Sequence, residues 1–500
     1  MTDPTTRLND QTERLQQAPA TDDGYDLHAA LDDLLSTVGL AASDSGGAID
    51  FVGADPVLPG TLRLAGATSL ALVAKSVAVA AIWRMRGGRA QDIAMDLRVA
   101  PHRLCPFYDR RWELLNGYPM VDTVRVSDAF ATDRFYRTAD DRWVHPMGPY
   151  PRLRNDTAAL LDVPEVESRV AEAISKWKAE DLETAGEEAG IIMPMCRTVG
   201  EIIASDQYQQ VLGPMNPVVI EKVGDSDPEP LPEGGTMPLS GVRALGRAHI
   251  IAGAGCGRAL ALHGADVLNV WDPYEWEMPL LYGTSNVGMR STTLDLKTGA
   301  GSETMLGLLR GADVFFANRR PGYLRRRGLD VDSAVAQRPG LIHATVNLNG
   351  ETGLWAGRVG FDQTAGALAG VMLSEGENGV PALPALPVVN DYITSWLLEL
   401  GVLRALMLRA EQGGSYKVTV SLTRTALWLL SLGTFDKAYA AGVAGSAPGH
   451  EYLDPQTFTA DTSLGRYQGI AEQVRMSQTP GYYTNPLVPR GAGLPIWRQG

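Results

Sequence analysis

Asp391 opens a long apolar stretch, PVVNDYITSWLLELGVLRALMLRAEQGGSYKVTVSL, whose pattern predicts a helix that ends at Gly413-Gly414 and passes into an alternating strand. A carboxylate at the mouth of such a helix has two uses: it caps the first turn, or it does chemistry. A second copy of the pattern orders these readings. Residues 62–97 align with 387–422 at a constant offset of 325, which lays Gly88 on Gly413 and Gly66 on Asp391. The repeated scaffold does without an acid at this place, so chemistry leads and capping follows. Farther upstream, NRRPGYLRRRG gathers Arg319, Arg320, Arg325, Arg326 and Arg327 beside Asn318, just after a predicted strand end. The planar fork of arginine can donate two hydrogen bonds to a phosphate, although part of such a cluster is also what a solvated surface looks like. Asp295 and Lys297 in LDLKT are predicted to share one face of a strand.

The glycine loop AGAGCGR follows a predicted strand, opens a helix and precedes Asp272 at the end of the next strand. A dinucleotide fingerprint needs a third glycine for close helix–strand packing. Counting from Gly253 gives Gly255 and then Arg258. An NAD-dependent oxidoreductase therefore stays an alternative. Cys256, in the same loop, has no histidine placed by local sequence and reads as a small buried thiol.

The elements around these residues divide the chain. Residues 1–60 read as a polar tail and approach, and 61–130 as the partial copy of the helix–strand unit. Residues 131–223 read as a small α+β domain, and the Pro- and Gly-rich 224–238 as a linker. From Leu239 to residue 435 short apolar strands alternate with helical stretches, the rhythm of a doubly wound, mainly parallel sheet. Residues 436–500 follow as a C-terminal tail, expected to return to the core.

Composition narrows the function. With 45% hydrophobic and 20% charged residues the chain is an ordinary soluble α/β protein of two or three domains. The apolar run LALVAKSVAVAAIW is broken by Lys75 and reads as too short for a bilayer, and the polar start has no signal core, so no membrane partner and no secretion are expected. Three cysteines without paired spacing fit the cytoplasm and exclude a disulfide framework or a Cys-based zinc site; no metal is expected. With 58 acidic against 44 basic residues, the net charge of −14 argues against nucleic acid as a partner.

In order, LSGVRALGRAHIIAGAGCGRALALHGADVLNV, RSTTLDLKTGAGSETMLGLLRGADVFFANRRPGYLRRRGLD, RPGLIHATVNLNGETG, GFDQTAGALAGVM and the Asp391 segment resemble the class III CoA-transferases, a family that includes alpha-methylacyl-CoA racemase. The resemblance covers about 239–435. FYRTADDRWVHP resembles the family's smaller domain and LGRYQGIAEQVRMSQTPG its closing segment, which makes the segment order rearranged.

The resemblance implies a Rossmann-like large domain, acyl-CoA and carboxylic acid substrates with no permanently bound cofactor, and a homodimer. It implies CoA transfer through covalent intermediates on Asp391, with CoA contacts at Lys297, Asn318, Arg319, Arg326 and Arg327. Arg319 stands where the family usually has an aromatic residue. Ile251, Gly253 and Phe361 would line the substrate pocket. Ile251 replaces a polar Gln of the formyl-CoA transferase type and Phe361 replaces the racemases' His, so a more apolar acyl group is expected, unless both residues simply pack the core. An isomerase or racemase of the same fold would then need His249 or His343 as its second acid/base group. A non-catalytic CoA-binding protein is the remaining alternative. The first copy is expected to be a structural partner, leaving one active site per chain.

Overall fold

The computed structural model describes residues 19–120 and 134–498; the first part of the polar tail, residues 121–133 within the partial copy and small domain, and the last two residues lie outside them. The chain runs through helix α1 (Leu27–Ser36), strand β1 (Gly46–Val52), helix α2 (Leu64–Met85) and strand β2 (Gln91–Asp96). A small unit follows, with a Tyr136–Arg137 to Trp143–Val144 hairpin and helices α3 (Pro151–Leu161), α4 (Glu167–Ile174) and α5 (Ala179–Glu188) around their own core of Val144, Leu161, Val170, Ile174 and Leu182.

Strand β3 (Val219–Gly224) leads into β4 (Arg243–Arg247), α6 (Ala254–Leu262), β5 (Asp266–Trp271), β6 (Arg290–Thr293), α7 (Gly299–Arg310), β7 (Val314–Ala317), α8 (Val331–Gln337) and β8 (Ile342–Asn347). Then come α9 (Asp362–Ala369), α10 (Asp391–Gln412) and β9 (Ser415–Ser421), with β10 (Thr457–Thr462), β11 (Gly465–Ile470) and β12 (Arg475–Met476) in the tail.

Mixed α/β architecture is confirmed, with a large parallel-rich sheet in the order β6-β5-β4-β7-β8-β9-β3. Every neighbour in it is parallel except β9 with β3. Chain order reverses at β4, so β4 and β7 open a crevice at their carboxyl ends, the place where such sheets hold ligands. Successive residues face opposite sides of the sheet. Leu245, Leu268 and Phe315 meet Met305, Leu308 and Leu309 of α7, whereas Ala244, Val267 and Phe316 belong to the main core with α6 and α10. One strand departs from the sequence reading: β3, read as small-domain sequence, pairs antiparallel with β9 because the Ile220 to Val418 register lets it close the sheet edge.

The two copies are structural twins. Helices α2 and α10 each have 22 residues, are buried along most of their length, and pack on one another. Gly87 (φ +83°) and Gly413 (φ +65°) turn the chain out of them into β2 and β9. The apolar run read as too short for a bilayer belongs to α2, which is long and apolar enough to cross one; in this molecule it is buried inside the core instead. Lys75 survives there because it meets His263 Nε2 at 3.0 Å, Glu472 at 3.4 Å and Glu399 of α10 at 3.9 Å. The tail closes the molecule: β12 pairs with β2, and β10-β11 join Leu114–Leu115.

Candidate active site

Asp391 is the first residue of α10 and is 5% exposed. Its helix has Asn390 at the N-cap, without a side-chain cap bond. The first-turn donors go elsewhere. Asp362, at the start of α9, accepts at Oδ2 from the amides of Val389 (3.0 Å), Asn390 (2.5 Å) and Asp391 (2.8 Å), while the Asn390 side-chain amide reaches its Oδ1 at 3.3 Å. The capping carboxylate thus comes from another helix, and capping is not the work of Asp391. Among the described residues no hydrogen-bond donor meets the Asp391 carboxylate. Burial, followed by the charge of Asp362, pushes its pKa well above the usual range. Burial also raises Asp362, to about 6, against the pull of its three amide bonds.

Asp362 was not singled out as a site residue from sequence. It stands 29 residues upstream of its partner helix, and its only local signal is the acid that follows Phe361 in GFDQTAG. The other copy holds a parallel arrangement: Asp55 accepts from the amides of Ala65 (3.1 Å) and Gly66 (2.6 Å) at the start of α2, and burial lifts it to about 6 as well. A Cβ added at Gly66 would stand 2.8 Å from Asp55 Oδ2. The capping acid is present twice and the second acid once.

The glycine loop owes its composition to close packing around α10. A Cβ at Gly255 would lie 2.4 Å from Ser395 Oγ, and one at Gly253 would lie 2.6 Å from the Asn318 side chain. The Ser395 hydroxyl, one turn after Asp391, lies within hydrogen-bond reach of the carbonyls of Ala252 (2.9 Å) and Ile251 (3.2 Å). This brings Ile251 and Gly253 to the Asp391 helix. Arg258, in place of the third fingerprint glycine, is buried and bonds Glu113 of the N-terminal half (3.1 Å), Tyr392 Oη (3.1 Å) and Tyr483 Oη (3.0 Å). Ile251 is buried in the main core. Phe361, half-buried, stacks on Tyr150 of the small unit at 6.0 Å.

The basic residues split into two sets. Arg319 and Arg247 both clamp Glu275, Arg247 at 2.9 Å, and together they hold the Glu275 carboxyl far below the usual range against its burial. Asn318 brackets the His249 backbone, accepting its N–H at 3.1 Å and donating to its carbonyl at 2.8 Å. Arg325, Arg326 and Lys297 are exposed, Arg327 is half-buried, and among the described residues none of the four makes an ion pair, although the charge of Arg325 reaches Asp330. Arg327 donates to the Leu296 carbonyl at 2.9 Å, drawing the arginine turn onto the segment that carries Lys297. These four cations form a rim at the carboxyl ends of β6 and β7. Asp295 and Lys297 lie in a turn beyond β6, not on a strand, because Asp295 Oδ1 accepts the Lys297 amide at 2.9 Å.

Both candidate histidines are occupied. His249 sits against Asn318, and burial together with Arg319 lowers it to about 3; His343 bonds the Leu329 carbonyl at 2.9 Å inside β8 and is lowered by burial. Cys256 is fully buried, and desolvation pushes its thiol well up.

Residues 239–462 match the sequence profile of CoA-transferase family III. The matched span contains Asp391, Asp362, the glycine loop and the cationic rim. This region belongs to CoA-transferase family III. The CoA-transferase region has curated relatives: an acetyl-coenzyme A transferase of Hypoxylon pulicicidum is 30% identical over 60% of this chain and 55% of its own length. The beta subunit of a succinyl-CoA–L-malate CoA-transferase of Chloroflexus aurantiacus is 32% identical over 37% and 49%, and a succinate–glutarate CoA-transferase of Agrobacterium fabrum 31% identical over 35% and 48%. The chain spans about half the length of the curated relatives it matches. A solved CAIB/BAIF family protein of Brucella suis is 27% identical, with a TM-score of 0.37 over 46% of this chain and 65% of that one.

Proposed function

We propose that the protein moves CoA from an acyl-CoA donor to a carboxylic acid through covalent intermediates on Asp391, with its large sheet as the family's doubly wound domain in a rearranged segment order. One observation carries the reading: Asp391 is a buried carboxylate that no donor among the described residues meets, while the amides around the helix start, its own included, are taken by the neighbouring carboxylate of Asp362. An ionised carboxylate in that setting is poorly stabilised and hence nucleophilic, and its low exposure keeps water from the intermediates.

The atoms balance in four steps. Asp391 attacks the thioester carbonyl, the C–S bond breaks, and CoA leaves as thiolate from a mixed anhydride. The thiolate attacks the aspartyl carbonyl, giving an aspartyl-CoA thioester and releasing the donor acid as carboxylate. The acceptor carboxylate attacks that thioester, expelling thiolate and forming a new anhydride. Thiolate then attacks the acceptor's acyl carbon, which frees Asp391 and completes the new acyl-CoA. The rim of Lys297, Arg325, Arg326 and Arg327 supplies cations for CoA phosphates on a chain of net charge −14. Arg319 and Asn318 support the rim from within, where they tie down Glu275 and the His249 loop. Phe361, half-buried beside Asp362, favours an apolar acyl group over a short diacid, whereas Ile251 packs the core.

Racemisation has less support, since Phe361 carries no proton and both histidines are engaged. Intact-mass measurement after incubation with a panel of acyl-CoAs tests the proposal. A mass increase on the parent chain that disappears in Asp391→Ala is expected, and its absence with every donor that is turned over would remove the covalent route.

A further inference from the structure

The loop between β4 and α6 is fixed residue by residue. Ala248 exchanges two hydrogen bonds with the Asn269 side chain, His249 two with Asn318, and the carbonyls of Ile251 and Ala252 face Ser395. Ile250 differs. It holds φ at +57°, a left-handed conformation that a β-branched residue adopts only under constraint. Its amide donates to Glu277 Oε2 at 3.0 Å.

Glu277 is 8% exposed and has no cationic partner among the described residues. Its Oε1 accepts from the Met278 amide at 2.9 Å and from the Tyr150 hydroxyl at 2.8 Å. Tyr150 comes from the small unit, immediately before α3, where its ring meets Trp276 edge-on at 5.4 Å and stacks on Phe361, the residue before Asp362. The three donors approach both carboxylate oxygens. A carboxylate can accept on both sides, whereas a glutamine would turn an N–H against one of them. A buried acid therefore fits where a neutral amide would not, and one of its three donors is present only while the small unit is docked.

We propose that Glu277 is a positioning residue that holds Ile250 in its left-handed turn, and that Tyr150 is the latch through which docking of the small unit braces the glycine loop against the Asp391 helix. The inference rests on the CoA-transfer reading for what the loop positions; the latch is measurable without it.

The test uses the full chain with Tyr150→Phe and Glu277→Gln, read by amide hydrogen exchange, CoA calorimetry and steady-state kinetics. Exchange over residues 248–253 should quicken about tenfold in both variants, with the core of β8 and β9 unchanged. The kcat should fall about 10- to 100-fold, while KM for acyl-CoA and the affinity for CoA stay within about twofold, because orientation rather than binding is lost. The two substitutions together should do little more than Glu277→Gln alone. If Glu277→Gln fails to fold, Tyr150→Phe, which removes one hydroxyl, still decides the matter. Unchanged exchange at 248–253 in folded Tyr150→Phe overturns the latch, and a raised KM at constant kcat overturns the positioning role. A parent chain that transfers no CoA would remove the functional reading and leave the exchange result to judge the latch alone.

Discussion

Helix α10 and helix α2 begin in the same way, yet only α10 carries a second acid at its start. Each first turn is capped from outside by a buried carboxylate, Asp362 for α10 and Asp55 for α2, and burial holds both near a pKa of about 6. At the next place along, α10 has Asp391 and α2 has Gly66. Packing and capping thus explain everything the copies share, and neither explains Asp391. The N-terminal copy acts as an internal control: it shows what the scaffold needs when no second acid is required. It also reaches the site, since the Cys105 thiol meets the backbone of Val388 and Glu113 bonds Arg258 beneath Tyr392.

The largest expected effect is at the second acid. Asp391→Ala should lower CoA transfer by at least about 1,000-fold, roughly 4 kcal/mol of transition-state stabilisation, with CoA affinity nearly unchanged by calorimetry. Retention of a tenth of the activity would place the chemistry elsewhere.

Next comes the attempt to make the copies alike. Gly66→Asp in an Asp391→Ala background should restore nothing. The new Cβ falls 2.8 Å from Asp55 Oδ2 and adds a second buried carboxylate. Thermal denaturation should show a loss of about 2–4 kcal/mol. Rescue of activity, or two CoA sites per chain by titration, would make the first copy a working domain.

A smaller effect separates the caps. Asp362→Asn should cost about 10- to 100-fold in kcat and move the acid limb of the pH–rate profile downward, because the like charge that helps raise Asp391 is gone. The limb belongs to the coupled pair, so its midpoint, not a site assignment, is the quantity to compare. Asp55→Asn should leave kcat alone and change unfolding free energy by an amount that depends on pH. Its signature is in pH. A carboxyl at 3.8 in the unfolded chain and about 6 in the folded one binds its proton more tightly when folded. Its stabilisation is complete below pH 3.8 and is lost as pH rises through 6. Urea titrations between pH 4 and 6 should therefore show a flatter decline in stability for Asp55→Asn than for the parent, and identical slopes would contradict the raised value.

The smallest effect is at the rim. Arg326→Ala should weaken CoA binding a few-fold, with the difference shrinking as salt rises, since an exposed cation is screened beyond about 10 Å at 0.1 M. Equal affinity at every salt concentration would make Arg326 ordinary surface.

What the sequence made legible follows from periodicity and repetition. Alternating strands and apolar helices from 239 to 421, the Asp391 helix and its twin all rest on local patterns, and all are present. The remainder is long-range. The cap for α10 comes from α9, and β3 finds β9 across almost 200 residues of chain, neither of which a local pattern encodes. The five arginines look alike in sequence, yet Arg319 faces Glu275 and Arg326 faces solvent, a division made by which loops meet at the end of β5. Gly253 and Gly255 imitate a phosphate loop because close approach of a serine or asparagine demands the same missing Cβ as close approach of a ligand.

The pairing of β12 with β2 has a consequence for biosynthesis. Strand β2 lies between β1 and residues 475–476, so one of its edges stays open until those residues, almost 400 further along, have left the ribosome. At roughly 5–20 residues per second the wait lasts on the order of tens of seconds, with an unpaired edge beside a very apolar helix. Nascent chains that stall before residue 475 should sediment as aggregates, and those that stall after it should not.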